Sequence, residues 1–326
     1  MNKYELNPVS QRVTVELNGE KQWIEMHQIR ALRDFSDVTA GSCGGWVADA
    51  SCLSQHGDCW IYAENSLVLA GAHIAGNARV TGTCTVGDGV RITDNAWVDN
   101  ATLSDGAEIA GSATVQHSTV RGRCSIRDEA RVINQSEVYA AQGMTTDATQ
   151  ILQIYHQATV DHSRVVHQAQ IYGRAIVRHA FVEHRAEVFD DALLLGNDDN
   201  NVWVCDCAAV YGQARISAGT GEDQSPTLRY SSRVHGSAVI EGDCLLRHQV
   251  EVYGSAVLSG GPIMLDEGVT LCGSARVIGN VLIEHQVTIS DEAVVEGCDG
   301  ETLHLRGPKA IGGAQRITRT PFYGVF

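Results

Sequence analysis

The sequence predicts an all-β protein, a three-sided parallel solenoid built from very short strands. Three observations predict it. Between Ser66 and Tyr139 an aliphatic residue recurs every six residues, with two steps of five: Val68, Ile74, Val80, Val86, Ile92, Val98, Leu103, Ile109, Val115, Val120, Ile126, Val132 and Val138. Two positions before almost every one sits a small residue, such as Ala72, Ala78, Cys84, Ala96 and Ala107. Two positions after sits Gly, Asp, Asn or His, such as Gly76, Asp94, Asn100, His117 and Asp128.

Each slot has a physical reason. Small-x-aliphatic alternates, so both marked side chains point to one face of a short strand and the residue between points out. Gly, Asn, Asp and His tolerate positive φ, which makes their slot a left-handed corner. A strand and a corner every six residues close a triangle in roughly eighteen, and a short fixed repeat is the mark of a solenoid. Coils then stack about 4.8 Å apart as in-register parallel sheets with Val and Ile ladders inside. Bulky rings do not fit so narrow a prism, and the 6% aromatic content agrees.

Residues 1–45 do not follow the repeat and are expected to cap one end, covering unpaired strand edges. Val13–Leu17, Asn18-Gly19 and Lys21–Met26 read as a hairpin with a type I′ turn. Ile29–Phe35 reads as a short helical turn and Ser42–Gly45 as a loop. Residues 46–295 are expected to form the coils, first irregularly at Val47, Leu53 and Ile61. With Val68 on face a, Ile74 on face b and Val80 on face c, every five-residue step falls between c and a. Loops are expected at 140–153, 195–203 and 217–233, giving roughly twelve coils. From Glu296 to Phe326 the pattern decays, and Pro308 and Pro321 argue for a second cap.

The repeat resembles the hexapeptide-repeat transferase family, whose members form a left-handed parallel β-helix. General crossover rules favour the opposite hand, so the handedness is what the resemblance implies. Ile29-Arg-Ala-Leu-Arg-Asp-Phe35, Gly44-Gly45-Trp46-Val47 and Gly57-Asp58-Cys59-Trp60-Ile61 are similar to the leading segment of the YdcK-type acyltransferases of that family. The family implies a homotrimer, acyl-CoA as co-substrate, and acyl transfer to a hydroxyl or amine in a groove between subunits.

A formal charge of −15 argues against nucleic acid or an anionic membrane as partner. No apolar run is long enough to span a bilayer and Met1–Gln11 lacks a hydrophobic signal region, so a cytoplasmic location is expected. Of the ten cysteines, Cys84, Cys124 and Cys244 fill small inward slots and read as structural thiols. Cys205-x-Cys207 has no second pair to make a zinc site.

Outward residues on face c are read as Trp60, Trp97, Ile176, Leu193, Leu245, Ile263 and Leu282, an apolar stripe expected to form the subunit interface. The c–a corner is read as Asn100, His117, Asn134, His162, His179, His248, Asp266 and His285, with His167 and His184 on the a–b corner. A corner histidine needs no function, because positive φ alone favours the residue. His162 and His179 stand out because they directly precede two long loops, where Asp198 and Asp199 are placed to orient an imidazole. An imidazole is suited to take an acceptor's proton near pH 7. His162 and His179, with His117, are therefore the candidate catalytic residues.

Two other readings compete. His162–His167 and His179–His184 both show the H-x₄-H spacing of the γ-class carbonic anhydrases, which share the fold. That resemblance implies zinc held by His162, His167, His179 or His184, with His117 or His156 as third ligand. No Gly follows the second His of either pair, and the five-residue step alone produces the spacing. The third reading is a non-catalytic scaffold.

Overall fold

The structure is a computed structural model that describes residues 2–17, 20–141, 151–298 and 300–319. It is an all-β, three-sheet parallel solenoid of about 15 turns, three more than the repeat count led us to expect. The described residues fall into two compact units, 1–157 and 158–326. Asn18-Gly19, residues 142–150 of the expected first loop, and Pro321 lie outside the described residues.

In the N-terminal unit, strands β1 (Tyr4–Leu17) and β2 (Glu20–Ala31) pair antiparallel. A bulge between Leu6 and Ser10 accommodates Pro8, which has no amide to give the ladder. β2 also pairs antiparallel with β3 (Cys43–Val47), and β3 pairs parallel with Leu67–Val68 of the first regular coil. The hairpin therefore extends face a. Below it Tyr4 donates to Leu53 O at 2.6 Å, and Trp60 is packed edge-on between Tyr4 and Phe35.

Two expectations fail here. Ile29–Phe35 is not helical: Ile29 and Ala31 are buried while Arg30 and Leu32 are exposed, a period of two, and the chain then turns through a Phe35–Val38 bridge. Ser42–Gly45 is largely strand rather than loop. Its glycines serve close packing, since a Cβ at Gly44 would lie 2.5 Å from Ile61 O.

The coils follow the six-residue frame. Val98, Val115 and Val132 are register partners on face c, as are Leu103 and Val120 on face a and Ile109 and Ile126 on face b. All are fully buried. Cys84, Cys124 and Cys244 occupy inward slots, and burial pushes the Cys124 and Cys244 thiols up to about 12.

The C-terminal unit corrects the frame in three places. Residues 217–233 are not one loop: Thr227–Leu228 forms a face-a rung and Arg233–Val234 a face-b rung. Every later face assignment shifts by one as a result. Ile263 and Leu265, not Met264, point inward, because the chain crosses the corner through Gly260-Gly261-Pro262. The repeat also continues past Val295, with Leu303–Arg306, Lys309–Ile311 and Arg316–Thr318 adding a rung to faces a, b and c. Pro308 sits between two of these strands, where no ladder amide is needed.

The shift redraws the apolar surface. Leu245 and Leu282 lie on face a, Ile263 is buried, and Trp60 is covered by Tyr4 and Phe35. Of the expected face-c stripe, Trp97, Ile176 and Leu193 remain outward on that face. The longer apolar column in the C-terminal unit is Phe181, Trp203, Thr227, Leu245, Met264 and Leu282 on face a, all successive register partners.

Candidate functional site

His162 and His179 occupy the c–a corner on adjacent rungs with φ of 45° and 44°. Parallel in-register pairing of Thr159–Asp161 with Ile176–Arg178 places them one above the other. Their rings stack at 4.9 Å with only 10° between planes. The vertical neighbourhood expected from the spacing is present.

The structure adds two residues that the sequence reading missed. Asp161, only 6% exposed, accepts from His162 Nδ1 at 3.0 Å through Oδ1. Arg178 Nε donates to the other oxygen, Oδ2, at 2.8 Å. Each directly precedes a corner histidine, at the outward position that ends a face-c strand. An acidic residue there, one rung from a basic one, was the available signal. A buried carboxylate needs such partners. The pairing favours the tautomer with a proton on Nδ1, leaving Nε2 as the basic nitrogen.

The loop that joins Leu193–Leu195 to Val202–Val204, one rung above His179, is fixed by close packing. A Cβ at Gly196 would lie 2.0 Å from His179 O, and Val202 N donates to the same oxygen. Asp198 Oδ1 lies 3.8 Å from His179 Nε2, but its side chain is 95% exposed, so the attraction is screened. Asp199 takes part in the loop's own turn, donating its amide to Asn197 Oδ1. His117 sits at the c–a corner of the N-terminal unit, 3.8 Å from Asp99 and largely exposed.

The zinc reading does not fit. His162 and His167 stand at opposite ends of one strand, Arg164–His167, so the H-x₄-H pairs are split between two corners. His167 instead stacks on His184 at 4.7 Å. Among the described residues no three His, Cys, Asp or Glu side chains converge as a metal site. His156 lies on a third corner, edge-on to Tyr155.

His248 and His285 are not at the c–a corner either. The missed rung at Leu228 moves both to the a–b corner, whose residue in the next coil is Glu267 rather than Asp266. Asp266 is buried beside that corner and accepts from His248 and Arg247.

The arrangement at His162 presents a fixed imidazole, a buried carboxylate and a guanidinium on a rigid ladder. Such a group can remove a proton from a hydroxyl or amine. A family model described as the YdcK β-solenoid repeat matches residues 169–185. A relative from Escherichia coli (strain K12), named uncharacterized acetyltransferase YdcK, is 50% identical over 325 residues, covering 100% of both chains. With identity of that level along its whole length, the chain belongs to the YdcK family of β-solenoid proteins.

Proposed function

We propose that this chain is an acetyltransferase that moves an acyl group from acyl-CoA to a hydroxyl or amine acceptor, with His162 as the base. The observation that carries the reading is the His162–Asp161–Arg178 relay in a chain related end to end to a protein named as an acetyltransferase. In the reaction, His162 Nε2 takes the acceptor's proton as its oxygen or nitrogen attacks the thioester carbonyl. The carbon–sulfur bond breaks and the thiolate of coenzyme A leaves. Asp161 holds the imidazole and stabilises its protonated form, and Arg178 holds Asp161. His179 covers one face of the His162 ring.

We place the reaction in the cytosol and in a homotrimer. Phe181 and Trp203 on face a and Ile176 and Leu193 on face c flank the histidine corner on both sides. Burial of either face by a neighbouring subunit would dry that corner, which strengthens its electrostatics.

The test follows thiol release from acetyl-CoA with a panel of hydroxyl and amine acceptors. Replacing His162 and His179 together by Asn, a residue that tolerates the same backbone, lowers turnover by about 100-fold or more. The rise in thermal midpoint with coenzyme A stays. Turnover that survives the double substitution dismisses the base. A wild-type midpoint indifferent to coenzyme A favours the scaffold reading.

A further inference from the structure

The a–b corner of the C-terminal unit carries a second histidine relay, and it lies in a groove. Asp206, Tyr230, His248, Glu267 and His285 turn successive coils there at φ of 62°, 49°, 48°, 54° and 61°. In the same coils the other two corners are made largely by glycine: Gly242, Gly260 and Gly279 at one, Gly212, Gly236, Gly254 and Gly273 at the other. Positive φ is free for Gly and tolerated by His and Asp, but Tyr230 and Glu267 are not residues that it favours.

The groove measures about 730 Å³, and Tyr230, His248, Gln249, Glu267 and Gln286 are among its lining residues. His248 Nδ1 is held at 2.6 Å by Asp266 Oδ1, and Arg247 Nη2 holds Oδ2 of the same carboxylate at 2.6 Å. Asp266 is only 5% exposed. Tyr230 stacks on the imidazole at 4.6 Å and 4°. Part for part this matches His162, Asp161, Arg178 and the stacked ring of His179, yet the positions of the parts along the chain differ. Here the carboxylate comes from the following rung. The second relay is thus not a by-product of the repeat.

We propose that this groove is a second reactive site, in which His248 Nε2 acts as the base on a hydroxyl compound that attacks an uncharged acyl ester. The charges argue for an uncharged ligand. Each charge beside the groove has an opposite partner, Arg247 with Asp266, Arg229 with Asp206 at 3.5 Å and Glu267 with His285. Ser231, Gln249 and Gln286 supply donors and acceptors suited to hydroxyl and carbonyl groups. The phosphates of coenzyme A find no partner here, so the site stands apart from the acyl-CoA chemistry proposed at His162. In the step, His248 Nε2 takes a proton from a hydroxyl whose oxygen bonds to the ester carbonyl carbon. The ester carbon–oxygen bond breaks, the alkoxide or phenoxide leaves, and the imidazolium returns its proton to solvent or leaving group.

The probe is p-nitrophenyl acetate with water as the hydroxyl compound, which needs no coenzyme A and leaves the test of His162 separate. The full-length protein hydrolyses it faster than free imidazole at the same histidine concentration. His248→Asn lowers the rate about tenfold or more, while His73→Asn leaves it within about twofold. His73 is the matched control, an exposed imidazole whose Nδ1 lies 2.9 Å from a backbone carbonyl, that of Ser51, instead of a carboxylate. Because a corner variant can fold poorly, diethyl pyrocarbonate labelling of the unsubstituted protein gives a second reading. His248 is modified faster than His73. A wild-type rate no greater than imidazole's, an unchanged rate in His248→Asn, or labelling of His248 no faster than His73 overturns the proposal.

Discussion

The a–b corner is built in two ways in the two units. In the N-terminal unit Gly71, Gly89, Asp105-Gly106 and Gly122 make it; in the C-terminal unit His167, His184, Asp206, Tyr230, His248, Glu267 and His285 do. The backbone task is the same, a left-handed residue between a face-a strand and a face-b strand. Past Gly82, the c–a corner changes the other way along the chain, from Asn100, His117, Asn134, His162 and His179 to Gly242, Gly260 and Gly279. A turn that glycine makes without strain does not require histidine. The contrast teaches that corner chemistry follows position along the chain rather than the demands of the turn.

Three substitutions break or sharpen that comparison. The largest effect is expected at a corner where glycine lies directly against the backbone of the next rung. Gly111 has φ of 67°, and a Cβ there would lie 2.7 Å from Asp128 N on the next rung. Gly111→Val combines a left-handed β-branched residue with overpacking and should cost roughly 3 kcal/mol. Urea denaturation measures it, and a loss under 1 kcal/mol would mean that the rungs adjust freely.

Asp266→Asn comes next and carries a pH signature. Burial pushes the Asp266 carboxyl up, but hydrogen bonds from His248 and Arg247 outweigh that and hold it below the usual carboxylate range. The native state therefore binds its proton less readily than the unfolded chain. The stabilisation is complete above about pH 3.9 and is lost as pH falls below it toward the native value. The variant should lose about 1–2 kcal/mol at pH 7, the scale of an unmade hydrogen bond to a charged group. Its stability should fall less steeply than the wild type's below pH 4. Parallel acid-unfolding curves for the two proteins would refute the pairing.

The smallest effect is expected from His248→Gly. Relief of left-handed strain, about 1–3 kcal/mol, opposes the lost ring stack, the freer unfolded chain and a carboxylate short of one partner. The net change should stay within about 1 kcal/mol. A much larger destabilisation would make His248 a structural residue after all.

The fold was legible in the sequence because inward slots in a narrow prism leave little choice of residue. Val98, Val115 and Val132 had to align if the coil existed at all. The stacking of His162 on His179 followed from the same geometry. What escaped was of another kind. Leu228 follows Pro226 in the slot where other rungs carry Ala, so its rung resembled a loop and every later face was misplaced by one. Asp161 and Arg178 lie on outward positions that periodicity leaves unconstrained, and only register shows that they meet. Ile29–Ala31 looked helical over a short window, since pairing with Tyr4–Leu6, distant in sequence, decides its conformation.

Asn200 has a further consequence. Though only 4% exposed, it ties the first excursion to the second, donating to Gly219 O and Gly221 O and accepting from Gln224 N. Meanwhile the rungs on either side, Val182 on Val204 and Val204 on Leu228, keep an uninterrupted ladder. The tip between Glu222 and Asp223 is thus a socket. A foreign peptide spliced there would be displayed from a rigid post, and lengthening the chain at that point alters what the molecule presents while the scaffold beneath is undisturbed.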